Sequence, residues 1–205
     1  MRSVWLFALC SIIGLSACGS DSGGDGDGDG DFVPSPPAGC ELSAPGQTNY
    51  PPGPYGTDVG DTIADVSLQD CDGNTLSLGD VIAQAPLTLF NVGAGWCQPC
   101  IEETETIDVE IFSEFCGRGL RVVQVMFQDE ESRAATSLFC KDWRSRYKLN
   151  FPVLYDPLFQ TNQYFESVQA ETPLNFLVDG NGEIVFKEFG TPAGDLNTRI
   201  DGLLP

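Results

Sequence analysis

Cys97 and Cys100, in the stretch Gly95-Trp96-Cys97-Gln98-Pro99-Cys100, are the side chains whose type and spacing most directly offer chemistry. Two thiols separated by two residues can cycle between dithiol and disulfide. The apolar run Leu87-Thr88-Leu89-Phe90-Asn91-Val92 precedes them and a helical pattern follows, which places the pair on a strand-to-helix turn. An inert stabilising bridge and half of a zinc site are the competing readings. A zinc site would have to recruit scattered cysteines, because the chain has no second CxxC and no histidine. The same lack removes histidine-based acid/base catalysis. Redox chemistry is the preferred reading, and no metal is expected.

The residues around the pair can be given roles. Cys97 starts a helix, where unsatisfied backbone N–H groups and the helix dipole favour a thiolate, so it is the predicted nucleophile. Cys100 lies one turn inside, shielded yet near enough to attack a mixed disulfide and release the partner. Trp96 would cover the pair and shape a docking surface, or pack in the core and nothing more. Glu103 could point its carboxyl at the sulfurs and trade a proton with Cys100, or be a solvated helix carboxylate like Glu102; spacing alone does not decide. Pro173 is expected to be cis and to sit against Cys97, with the Thr172 backbone pairing to an incoming peptide in strand fashion. Without the CxxC, an ordinary turn proline would be the better reading.

The elements that must hold these residues follow from periodicity. Ile63, Val66 and Leu68 flank a first strand, Asp70 to Asn74 is a turn, and Leu76 and Leu78 suggest a second strand of a hairpin. Pro86 to Val92 reads as a buried strand. Ile101, Thr104, Ile107, Ile111 and Phe115 recur at helical spacing until Gly117 and Gly119. Arg121 to Phe127 reads as a central strand, Ser132 to Tyr147 as a helix and Phe151 to Tyr155 as a short strand. Leu158 to Phe165 predicts a short helix, Leu174 to Val178 a strand, Asp179 to Gly182 a tight turn into Glu183 to Phe189, and Asp195 to Leu204 a closing helix. This alternation predicts an α/β sheet covered by helices on both faces.

The first part of the chain belongs to targeting. Met1-Arg2, an apolar stretch from Ser3 to Gly14 and Leu15-Ser16-Ala17-Cys18 read as an export signal too short to span a bilayer. Leu-Ser-Ala-Cys resembles the lipobox of bacterial lipoproteins, which implies cleavage before Cys18 and lipidation of its sulfur. Residues 1–17 are thus expected as signal peptide, 18–57 as a flexible Asp/Gly/Pro-rich tether and 58–205 as one domain. Gly19 lacks the Asp associated with inner-membrane retention, which favours the outer membrane for this exported, periplasm- or surface-facing chain. The net charge of −20 makes nucleic acid a poor partner. Cys40, Cys71, Cys116 and Cys140 remain for two structural bridges in an oxidising compartment, with three connectivities open. Sequence neighbours are the expected pairs: Cys40 with Cys71 and Cys116 with Cys140.

Trp96-Cys97-X-Pro99-Cys100, Glu103 three residues on, and Thr172-Pro173 before an apolar strand together resemble the thioredoxin-like, membrane-tethered thiol-disulfide oxidoreductases, the TlpA-like or redoxin group associated with cytochrome c maturation. The resemblance covers about residues 58–205. Asn91 stands where thioredoxins proper carry a buried Asp, as is common in the tethered group. The resemblance implies a thioredoxin-like fold with an N-terminal β-hairpin, a functional Glu103 and no cofactor. It further implies a monomer that reduces disulfides of exported proteins or apocytochromes with electrons from a separate donor. Two alternatives are a redoxin-type thiol peroxidase and a non-catalytic, disulfide-stapled binding lipoprotein. The first is weakened because Phe90 and Ala94 stand where a peroxidatic site needs its Pro and Thr; the extra cysteines and acidic surface keep the second open.

Overall fold

The computed structural model describes residues 32–42, 50–165, 171–191 and 196–205. The expected signal peptide, the lipidation site Cys18 and the spacer up to residue 31 lie outside the described residues. Among the described residues, no helix is long and apolar enough to cross a membrane.

The strand leading to the redox pair is one of the inner strands of the sheet. β3 (Leu87–Ala94) is buried at every position, as expected of a strand covered on both faces. β4 (Leu120–Gln128) runs parallel to it and β5 (Val153–Tyr155) parallel to β4, while β6 (Leu174–Asp179) is antiparallel to β3 on its other side. β7 (Ile184–Phe189) folds back on β6, and β1 (Ser67–Asp70) joins β5 to the short β2 (Thr75–Ser77). The order across the seven strands is β2-β1-β5-β4-β3-β6-β7. Gly182, at φ 88°, supplies the left-handed residue of the β6–β7 turn.

Helices pack on both faces. Leu78, expected in the second strand, opens α1 (Leu78–Ile82) because the Ser77 hydroxyl caps it by accepting from the Asp80 N–H. α2 (Gln98–Ile107) passes through one π turn (Asp108–Phe112) into α3 (Ser113–Phe115) and a 3₁₀ turn that ends at left-handed Gly119. α4 runs over Ser137–Tyr147, five residues shorter at its start than periodicity predicts. The cause is local hydrogen bonding: Asp129 accepts from the N–H groups of Glu131 and Arg133 and from Arg133 Nε, and Thr136 then caps the helix. Gln160–Tyr164 is a 3₁₀ turn, and α5 (Leu196–Leu203) closes the chain.

Alternation along β3 sends Leu87 and Leu89 into a core shared with Ile107, Phe112, Trp143 and Ile200. Phe90 and Val92 enter a second core with Ile63, Val81 and Tyr164.

The structural bridges differ from the expected pairing. Cys40 is bonded to Cys116 and Cys71 to Cys140. Strand order is the reason: β1 lies against β5, so the turn after β1 brings Cys71 beneath α4. The Val153 carbonyl oxygen sits 3.5 Å from Cys71 Sγ and 3.4 Å from Cys140 Sγ. Cys116, at the end of the helical run after α2, meets an N-terminal segment laid along the domain. Within that segment the Phe32 N–H donates to Ser145 Oγ and the Ser35 N–H to Asn150 Oδ1 at 3.0 Å. The stretch from residue 32 to 42, part of the expected tether, is therefore fastened to the domain as a strap.

Candidate redox site

Cys97 and Cys100 are joined as a disulfide where β3 gives way to α2. Cys97 is the N-cap of α2 in extended conformation, its sulfur accepting the Cys100 N–H at 3.2 Å, and Pro99 fits the first turn where no donor is needed. Cys100 lies inside against β3, where Gly93 leaves room for it: a Cβ on Gly93 would stand 3.0 Å from Cys100 Sγ. The residues are 3% and 1% exposed, so access does not divide their labour in the disulfide form. Position does. Cys97 Sγ sits at the free N–H groups of the helix end, and Cys100 Sγ is turned toward the sheet.

Gly95 permits a second close approach, since its Cβ would fall 2.8 Å from the Glu130 backbone nitrogen. The turn thereby presents Trp96 outward at 44% exposure, its Nε1–H donating to Gln128 Oε1 at 2.9 Å and its ring edge-on to Phe127. It is not a core residue.

Register brings the last predicted residues to the same end of the sheet. Val92 pairs with Leu174, so β3 runs two residues further toward the redox turn just where β6 is preceded by Thr172 and Pro173. The Thr172–Pro173 peptide bond is cis, and Pro173 is buried with its carbonyl accepting from the Gly190 N–H.

Glu103 is one turn beyond Cys100 on the same face of α2 and is not a solvated carboxylate like its neighbour Glu102. Its Oε2 accepts from Asn91 Nδ2 at 2.6 Å and its Oε1 from Asn175 Nδ2 at 2.8 Å. Burial pushes its pKa up to about 7, and the two amide donors only partly offset this. Asn91, in the place noted from sequence, is one of three amides in register across the sheet: it pairs with Gln124 on β4 and with Asn175 on β6. Gln124 donates to Asn91 Oδ1 at 2.8 Å and to Thr104 Oγ1 at 2.7 Å, and accepts from Trp143 Nε1 at 2.8 Å. Thr104 in turn donates to the Cys100 carbonyl at 2.7 Å.

Gln124, Asn175, Thr104 and Trp143 were not among the site residues expected from sequence, although the helical spacing includes Thr104. A lone amide inside an apolar strand run, as in Arg121-Val122-Val123-Gln124-Val125-Met126 or Leu174-Asn175-Phe176-Leu177, is the signal that could have found two of them. Among the described residues no cluster of His, Cys, Asp and Glu is arranged to hold a metal ion.

This site sits within a sequence that has relatives. Over 121 residues the chain is 31% identical to the thiol:disulfide interchange protein DsbE of Escherichia coli K12, matching 59% of this chain and 57% of that protein. It thus spans little more than half the length of that relative. Among the solved structures that share its fold are the following two. The thioredoxin domain of a thiol-disulfide oxidoreductase from Bacteroides vulgatus has 20% identity and a TM-score of 0.58, over 72% of this chain and 99% of that one. The exposed lipoprotein thioredoxin of Streptococcus pneumoniae has 25% identity and a TM-score of 0.51, over 68% and 98%. The expected α/β class is thus a thioredoxin-like fold. With the AhpC/TSA family model matching residues 59–187, across the sheet, the redox turn and Thr172-Pro173, the chain belongs to the AhpC/TSA family.

Proposed function

We propose that this chain is an exported, lipid-tethered thiol-disulfide oxidoreductase that reduces disulfides of exported proteins or apocytochromes through Cys97 and Cys100. The observation that carries the reading is the Cys97–Cys100 disulfide at the start of α2 with the Glu103 carboxyl one turn behind it. The leader and Cys18 support export and anchoring, and the DsbE relative supports the class of reaction.

The cycle starts from the dithiol. Cys97 loses its proton to solvent and attacks one sulfur of the partner's disulfide; that S–S bond breaks, and the departing partner thiolate takes up a proton. Cys100 then gives its proton to the Glu103 carboxylate and attacks Cys97 Sγ; the bond between Cys97 and the partner breaks, the second partner sulfur leaves as a thiolate that takes a proton from solvent, and Glu103 returns its proton to solvent. Two electrons and two protons have passed to the partner, leaving the disulfide seen in the structure. A dithiol donor restores the starting state. Trp96 and the Thr172–Pro173 edge supply the surface on which an extended peptide docks, by apolar contact and by backbone pairing. A carboxyl that keeps the thiols protonated, with no histidine to stabilise a thiolate, makes the pair a reductant, since strong oxidants owe their potential to a stabilised thiolate.

The peroxidase alternative is not favoured: Phe90 and Ala94 are buried core residues of β3 and bring no polar side chain to a peroxide. The discriminating experiment is trapping with Cys100→Ser in the native compartment. A stable mixed disulfide between Cys97 and an exported protein is the expected result. An empty trap, together with no exchange by the wild-type protein on a model disulfide, would leave the non-catalytic binding module standing instead.

A further inference from the structure

A chain of side-chain amides can usually run in either sense, because each amide offers a donor at one end and an acceptor at the other. The chain behind Glu103 cannot. At its far end is Trp143, buried and tilted against Phe139 and Tyr147, whose indole nitrogen can only donate. Its N–H is directed at Gln124 from 2.8 Å, so the atom of Gln124 facing it must be oxygen. The Gln124 NH₂ group then faces the other way, and both its hydrogens are used, one on Asn91 and one on Thr104. A second end agrees. The Cys100 carbonyl can only accept, so the Thr104 hydroxyl spends its hydrogen there and must accept from Gln124.

The consequence passes forward one residue at a time. Asn91 receives Gln124 on its oxygen, so its NH₂ group faces Glu103 and Asn175. Asn175 receives Asn91 on its oxygen at 2.9 Å, so its own NH₂ group also faces Glu103. All three amide oxygens and five of the amide hydrogens of this row are engaged among the described residues, and reversing any member would set two donors or two acceptors face to face in a buried place, at a cost of about 1–3 kcal/mol for each group left unpaired.

We propose that Trp143 and Gln124 are positioning residues for Glu103: the donor-only indole fixes the sense of the Gln124–Asn91–Asn175 row so that both carboxyl oxygens of Glu103 meet N–H donors. They do this from the far side of the row, touching neither sulfur. The inference rests on the reading of Glu103 as the proton acceptor of the redox cycle. The groups that meet its carboxyl are Asn91 from β3 and Asn175 from β6; on its own helix Cys100 lies one turn earlier, and Glu102 and Glu105 beside it are exposed. Donors on both oxygens favour the carboxylate against the burial that opposes it. If the row were released from Trp143, Asn91 could turn its oxygen to Glu103, an arrangement that only the protonated carboxyl satisfies.

The test follows the Glu103 side-chain ¹³C resonance against pH in the disulfide form of the full-length protein, with the Trp143 indole N–H resonance followed alongside. In the wild type the indole resonance is expected to move with the same midpoint as Glu103, because protonation weakens each link of a polarised chain in turn. In Trp143→Phe, which keeps a ring but loses the donor, and in Gln124→Met, which keeps the length but loses the amide, the Glu103 midpoint is expected to rise by about half a pH unit or more. The double variant is expected to add little to the larger single shift, since both substitutions cut one chain. A purely structural role would lower stability and leave the midpoint in place. An indole resonance indifferent to Glu103, or folded variants with an unmoved or lowered midpoint, would overturn the proposal; the wild-type readout decides even if a variant fails to fold. Loss of thiol exchange in the wild type would instead refute the function proposed above while leaving this titration intact.

Discussion

Glu103 shows how a single residue can be half legible. Its spacing from Cys100 put it on the right face of α2, but whether it was a solvated carboxylate depended on what the sheet placed opposite it, and Asn175 is 72 residues away. The three-amide row is a product of strand register, which local sequence does not encode. Because burial raises the folded-state pKa from 4.5 to about 7, the folded protein binds more protons than the unfolded chain between those values. The contribution of Glu103 to stability is therefore whole below about pH 4.5 and declines as pH rises toward 7. Glu103→Gln is expected to flatten that part of the stability–pH curve in chemical denaturation of the disulfide form. In the dithiol form the same substitution should slow release of the partner more than the first attack, since it is Cys100 that loses its proton acceptor; stopped-flow exchange with a fluorescent peptide disulfide separates the two phases.

At the level of elements, the strand-to-helix turn was readable because each of its parts has a local cause: an all-apolar strand, an N-cap cysteine and Pro99 in the first turn. The boundaries that differed also have local causes, but ones carried by side-chain hydrogen bonds that periodicity does not register. Ser77 turns a strand residue into the start of α1, and Asp129 with Thr136 delays α4 to Ser137. The π turn at Asp108–Phe112 inserts an extra residue in what the apolar spacing presents as one helix, while Asp108 accepts from both the backbone N–H and the side-chain amide of Asn150. The junction of β3 with α2 is closely packed. Gly93→Ala would press a methyl group against Cys100, at 3.0 Å from Sγ and 3.2 Å from Cβ. The expected outcome is a loss of about 1–3 kcal/mol in the stability of the disulfide form, measured by urea denaturation, with slower exchange at the redox pair.

For the whole molecule, the architecture was legible from the alternation of strands and helices, whereas the disulfide connectivity was not. Sequence neighbours are a poor guide once β1 crosses to pair with β5, and the true bridges close loops of 76 and 69 residues. In the chain-entropy account loops of this size stabilise by about 4 kcal/mol each. The Cys40–Cys116 bridge fastens the strap 19 residues beyond Cys97, roughly 28 Å along a helical path and away from the redox turn. Cys40→Ala with Cys116→Ala is therefore expected to lower Tm by on the order of 10 °C while leaving the exchange rate at Cys97 unchanged; calorimetry and a model-disulfide assay check the two halves. The central claim is that Cys97 and Cys100 form a reducing, exchangeable pair within the intact fold. Its most direct test is the reduction potential of that pair, taken by equilibrating the folded protein with a dithiol buffer of known poise. The account predicts full exchange without unfolding and a potential near about −270 mV, whereas a value near about −120 mV, or a disulfide that opens only when the protein unfolds, would contradict it.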